Sequence, residues 1–224
     1  RNYSGSVFSP GFSFNIPTKE AADAFEIGDR RKDVAILDIE AWAASTSATF
    51  GKGNEHTGYF NRKYLPRKRS ANAAGDLNLT NPNNYRAIRY ADVLLMQSEL
   101  EENVAGMNEV HKRATGVANY YTSYSLADLQ KERRWELAFE GTRWNDIRRW
   151  HIAAAALEKQ TNQPIYTAGA ESKNVAQNGG YTTRYNATAG FAKIPENQIT
   201  LNHGMLQQNA GYTDASGEYN GWKE

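Results

Sequence analysis

Along residues 89–102 apolar positions recur at Ala91, Leu94, Leu95 and Ser98, with Val93, Met96 and Leu100 beside them, a broad stripe that predicts a helix packed on two sides. Asp92 falls in its first turn, where the positive end of the helix dipole favours an acid. A second helix is predicted over 105–113, with Met107, Val110 and Ala114 at three-four spacing and Gly116 as its stop. The connection between the two is short, which predicts a helical hairpin. Ser125 opens a third helix with Asp128 three residues on, running to Glu140 before Gly141 breaks it. Thr142 can cap a fourth, carrying Trp144, Ile147, Trp150 and Ile152.

The flanks read differently. In the first sixty residues Ser9-Pro10-Gly11 and Gly51-Lys52-Gly53-Asn54 are turn signals, and only one brief helix is predicted, over 19–25 with Thr18 as its cap. Residues 34–39 are β-branched enough to be extended, and 59–65 alternate aromatic and charged side chains as a strand does. Beyond Leu157 the chain is dense in Gly, Asn, Thr and Tyr, is broken by Pro164 and Ile194-Pro195, and reads as loop around Asn178-Gly179-Gly180. No internal repeat is visible. The pattern as a whole is mainly α with long irregular loops and minor β segments.

Length suggests one domain over 1–224. Aromatic residues make up 12%, with 13 Tyr and 5 Trp, side chains that suit wet interfaces and the flat faces of sugar rings. A formal charge of +1 gives no field that would recruit nucleic acid. There is no cysteine, which excludes disulfides, a thiolate nucleophile and a cysteine lipid anchor within these residues. The longest apolar run, 152–157, is far too short to cross a bilayer. The chain opens on Arg1 and reads as a piece of a longer protein.

Four blocks stand out in order. Arg89-Tyr90-Ala91-Asp92-Val93-Leu94 resembles a helix of the SusD/RagB family, and Met107-Asn108-Glu109-Val110-His111-Lys112-Arg113 resembles the next one. Glu132-Arg133-Arg134-Trp135-Glu136-Leu137-Ala138-Phe139-Glu140-Gly141 and Arg143-Trp144-Asn145-Asp146-Ile147-Arg148-Arg149-Trp150 are similar to that family's most specific signature. Gly28-Asp29-Arg30-Arg31-Lys32-Asp33, Gly58-Tyr59-Phe60-Asn61 and Gln208-Asn209-Ala210-Gly211-Tyr212 extend the likeness, with Arg30 and Ala210 standing where the family carries proline. The resemblance implies a SusD-like fold built on TPR-like helical hairpins, of which this chain is the C-terminal half. It further implies a surface-exposed outer-membrane lipoprotein of a Bacteroidetes-type bacterium, anchored through the absent N-terminal half. Its implied partners are a SusC-like TonB-dependent transporter, an oligosaccharide or peptide nutrient, and that missing half. No cofactor is implied.

The feature most like an active site is Glu136 and Glu140 at i, i+4, a spacing that would put two carboxylates on one helix face, as paired-acid glycoside hydrolysis uses them. Arg133 and Arg143 stand close enough in sequence to hold both acids ionised, and a general acid needs the opposite. The expectation is therefore a structural ion network around Glu136 and Glu140 and no catalytic residue; the structural signature that the resemblance implies comprises Arg89, Tyr90, Asp92, Arg133, Glu136, Phe139, Glu140, Gly141, Arg143, Asp146 and Trp150. His56, His111, His151 and His203 lack metal-site spacing. The sequons Asn78-Leu79-Thr80 and Asn186-Ala187-Thr188 carry no weight in a bacterial protein. Trp135, Trp144 and Trp150 are expected in cores. Trp42, among small polar residues, is expected on an exposed loop, where it and Tyr59 would stack on a sugar. The competing readings are a helical-repeat module that grips only proteins, and a glycosidase.

Overall fold

The computed structural model describes residues 3–4, 15–46, 49–51, 53, 56–65, 83–176, 179–203 and 205–212. The Ser9-Pro10-Gly11 turn, Lys52 and Asn54 of the second turn, the sequon at 78–80, Asn178 and Trp222 lie outside these residues. The chain divides into two compact units, Arg1–Arg143 with Pro164–Ser172, and Trp144–Gln163 with Lys173–Glu224.

In the first unit, β1 (Tyr3–Ser4) pairs antiparallel with β3 (Thr49–Phe50). Thr18 caps α1 (Lys19–Asp23) by accepting from the Ala21 amide, as its position before the helix predicts. Asp29 caps α2 (Arg30–Ala35) in the same way, leaving Arg30 at the first helical position, where the fixed φ of a proline would also fit. The chain then runs through β2 (Ile36–Asp38) directly into α3 (Ile39–Thr46). Among the described residues the first sixty thus hold three helices rather than one, and the stretch predicted to be extended is strand only over its middle. Alternation cannot reveal such short elements, because each buries just one or two side chains. A second ribbon joins β2 to β4 (Tyr59–Asn61), with Leu37 opposite Phe60 and Asp38 opposite Tyr59. Leu37, Ile39 and Phe60 form one buried cluster, and Ala22, Ala35 and Ile36 form another.

The predicted hairpin is present as α4 (Tyr90–Leu100) and α5 (Ala105–Thr115). Gly106 lets the helices close to backbone contact, since a Cβ there would lie 2.1 Å from the Leu94 carbonyl oxygen. Ser98 accepts from the Met107 amide across the same junction. Leu94, Leu95 and Ser98 are buried, but Val93, Met96 and Leu100 are exposed. The second side of the helix is therefore the open one among the described residues. Gly116 ends α5 in the left-handed conformation.

Ser125 caps α6 (Leu126–Glu136), whose buried stripe is Leu129, Glu132, Arg133 and Glu136. That helix stops at Glu136, four residues earlier than predicted. Phe139 and Gly141 take left-handed backbone and turn the chain back, so Glu140 is not on the helix at all. In the same unit β5 (Pro164–Thr167) forms a hairpin with β6 (Ala170–Lys173), and Tyr166 bridges back to His56.

In the second unit α7 (Arg143–Arg149) buries Asp146 and Ile147. His151, with positive φ, separates it from α8 (Ala153–Glu158), dividing the fourth predicted helix in two. Trp150 is buried as expected, whereas Trp144 is 40% exposed. The Trp144 ring stands edge-on to Tyr185 and beside Arg148, whose guanidinium also covers Phe191 at 4.5 Å. Two further helices, α9 (Tyr181–Thr188) and α10 (Glu196–Leu201), occupy what reads as loop; neither has a fully buried residue, so no apolar stripe marks them. Gln208 accepts from the amide and donates to the carbonyl of Ile194, while Asn209 donates to the Ala192 carbonyl and Tyr212 to that of Phe191. The closing segment is stitched to residues 191–194 by these bonds. Among the described residues no helix is long and apolar enough to cross a membrane.

Candidate functional site

Of the signature residues, Arg89, Asp92, Arg133, Glu136 and Glu140 take part in ion pairs in the first unit, around α6. Glu132 is fully buried and accepts from Arg31 Nη1 at 2.5 Å and Tyr121 Oη at 2.7 Å, with His111 Nδ1 at 3.0 Å. Arg31 is also held by Asp29, through Nε to Oδ1 at 3.0 Å and Nη2 to Oδ2 at 2.7 Å. One turn along the helix, Glu136 takes Arg89 Nη1 at 2.9 Å, Arg113 Nη2 at 2.6 Å and Arg31 Nη1 at 3.4 Å. Arg89 reaches across to Glu140 with Nε and Nη2, both at 2.7 Å, and Lys63 completes the Glu140 shell. Arg133 pairs with Asp92 at 2.8 Å. His111 is stacked on Tyr120, whose hydroxyl donates to Glu26.

Such a cluster is stable only because each buried charge finds opposite charge and hydrogen-bond partners. Burial alone would lift the Glu140 carboxyl, but hydrogen bonds from Arg89 and Lys63 outweigh it and hold the group below its usual range. Burial likewise opposes the charged forms of Arg31 and Arg89, and the carboxylates reverse the effect in both, leaving them more firmly protonated than usual. Lys63 goes the other way, its ammonium lowered by burial despite Glu140. The Tyr121 hydroxyl is raised by burial and by the Glu132 charge beside it, and Tyr120 is pushed up to about 12, first by its bond to Glu26. Hydrolysis of a glycosidic bond needs a carboxyl that can give up a proton near neutrality. Glu140 is shifted in the opposite direction, and Arg89 clamps it to Glu136.

The cationic partners of the two acids are not those suggested by proximity in sequence. Arg31, Lys63, Arg89 and Arg113 serve Glu136 and Glu140, while Arg133 goes to Asp92. Proximity misleads because α6 ends at Glu136, so its neighbours in space come from α2, the turn after β4, and α4 and α5. Phe139 packs beside the Ala22, Ala35 and Ile36 cluster, Tyr90 is exposed on α4, and Asp146 pairs with Arg149 in the second unit. A signal for the wider network was present: Glu132, Arg133 and Glu136 occupy core spacing on α6, and charges there demand buried partners.

Trp42 lies on α3, half-buried against Leu37, Ile39 and Phe60, and not on an exposed loop. Tyr59 packs beside Ala22, Ala35 and Ile36. Side chains alternate along a strand, so Leu37 with Phe60 and Asp38 with Tyr59 face opposite sides of the β2–β4 ribbon. Trp42 belongs to the first side and Tyr59 to the second, so the two are not brought together. Beside the ion network a cavity of about 670 Å³ opens, a size within the range of roughly 300–1,000 Å³ typical of ligand pockets. Among the described residues no cluster of three or more His, Asp or Glu is arranged to hold a metal ion.

The chain belongs to the SusD family, whose model matches residues 31–212. Surface glycan-binding protein A from Bacteroides fluxus is 28% identical and superposes with a TM-score of 0.63, over 87% of this chain and 40% of that one. The protein of the same name from Bacteroides thetaiotaomicron is 26% identical, with a TM-score of 0.61 over 85% and 40%. Its complex with laminarihexaose gives 25%, 0.60, 87% and 40%. The chain thus spans about 40% of the length of these solved relatives. No curated protein matches it.

Proposed function

We propose that this chain is part of a non-catalytic surface subunit that holds an oligosaccharide and delivers it to a TonB-dependent transporter in the outer membrane, where a lipid tethers it. The observation that carries the reading is the likeness to surface glycan-binding protein A, one structure of which is a complex with laminarihexaose. Saturation of Glu136 and Glu140 by four cationic side chains supports a binding role over hydrolysis. The exposed stripe of Tyr90, Val93, Met96 and Leu100 on α4 is suited to burial against the portion of the protein that the longer relatives possess and these residues do not include. Isothermal titration of the 224-residue chain with laminarihexaose and a panel of other oligosaccharides and peptides tests the reading, followed by chromatography of the mixtures. Binding without any shortened product is expected. Failure to bind any sugar in the panel, or release of shorter sugars, would overturn it.

A further inference from the structure

The cavity beside the ion network has an unusual wall. Arg30, Arg31, Lys63, Arg86, Arg89 and Arg113 line it, and Glu136 is the only acid among its described lining residues. Four carboxylates reach these six cations: Asp29, Glu132, Glu136 and Glu140. Two positive charges are left over. Among the described residues neither Arg30 nor Arg86 meets a carboxylate; Arg30 is exposed at the start of α2, and Arg86 lies over the Tyr64 ring at 5.8 Å. Arg113 gives Nη2 to Glu136, yet its side chain remains 61% exposed. Val34 and Leu65 add an apolar strip to the same wall, and Val34 is 48% exposed.

A concave surface with surplus guanidinium groups concentrates anions, because a cleft lined by one sign of charge focuses the field. Guanidinium forks also match the planar oxygens of carboxylate and sulfate. We infer that this cavity binds an acidic oligosaccharide, one bearing carboxylate or sulfate, through Arg30, Arg86 and Arg113, with an apolar sugar face against Val34 and Leu65. The inference rests on the glycan-holding reading and narrows the ligand to a charged class.

The test is isothermal titration of the 224-residue chain with trigalacturonate, laminarihexaose, triglutamate and sodium sulfate. Trigalacturonate is expected to bind more tightly than the other three and to weaken with added sodium chloride. The double variant Arg30→Ala/Arg86→Ala should bind it about tenfold more weakly, the loss expected for charge-assisted contacts. Its melting temperature should be unchanged, since neither side chain carries a carboxylate partner. Laminarihexaose binding without trigalacturonate binding, or a double variant equal to the parent, overturns the charge assignment and leaves the glycan reading intact. Triglutamate or sulfate binding as tightly as the trisaccharide overturns the saccharide assignment. No sugar binding overturns both.

Discussion

Replacing Gly106 by alanine should destabilise the protein, although Gly→Ala inside a helix ordinarily favours folding by up to about 1 kcal/mol. The new Cβ would stand 2.1 Å from the Leu94 carbonyl oxygen, 2.7 Å from its carbon and 2.8 Å from Ser98 Oγ. The first two are backbone atoms, so no rotamer change relieves them. Helix α5 has to move off α4 by more than an ångström, and the bond from the Met107 amide to Ser98 stretches with it. Overpacking of this kind costs roughly 1–3 kcal/mol, and the weakened hydrogen bond about 1 more. After the propensity gain a net loss of about 2 kcal/mol remains, which for a chain of this size lowers the melting temperature by about 4–8 °C. The same displacement pulls Arg113 away from Arg89 at Glu136. Thermal unfolding followed by circular dichroism measures the shift. Adding Ser98→Ala should not rescue the variant, because the Leu94 carbonyl still blocks the way. A melting temperature that is unchanged or higher would refute the close backbone contact.

Three further outcomes follow from the same packing. Glu132→Ala removes the shared acceptor of Arg31, His111 and Tyr121 and should cost about 3–5 kcal/mol in urea unfolding; a loss below about 1 kcal/mol would show that the network is not needed for stability. Glu140 is depressed in the folded state, so its contribution is fully present above the unfolded carboxyl value of about 4.3 and disappears as pH falls through the lower folded value. Melting temperatures should therefore drop more steeply below about pH 4 in the parent than in Glu140→Gln, and identical curves would remove the assignment. Trp42→Ala uncovers the Leu37, Ile39 and Phe60 cluster and should lower stability by about 1–3 kcal/mol, part of the cost for a fully buried ring, whatever it does to sugar retention.

What could be read from the sequence had long-range consequences written into local spacing. The α4–α5 hairpin declares itself through three-four periodicity and the Gly116 stop, and the Thr18 and Ser125 caps through their place before helical runs. Hidden from it were elements that bury almost nothing, such as α9 and α10, and the short helices α2 and α3. The end of α6 was misjudged because left-handed backbone at Phe139, a bulky residue, has no local signature; Gly141, two residues later, has one. For the site, Glu136 and Glu140 were identifiable as a paired unit, but Arg31, Lys63 and Arg113 join them from distant segments. No one-dimensional pattern reports that convergence. The surplus charge at the cavity is hidden for the same reason, since a net charge of +1 over 224 residues averages away any local excess.

The pairing of Arg31 with Glu132 spans 101 residues, whereas its pairing with Asp29 spans two. During synthesis from the N-terminus the arginine therefore has its near partner at once and must wait for the distant one until α6 has emerged. Up to that moment the segment gains little by leaving water, and afterwards its docking closes a long loop in a single late step.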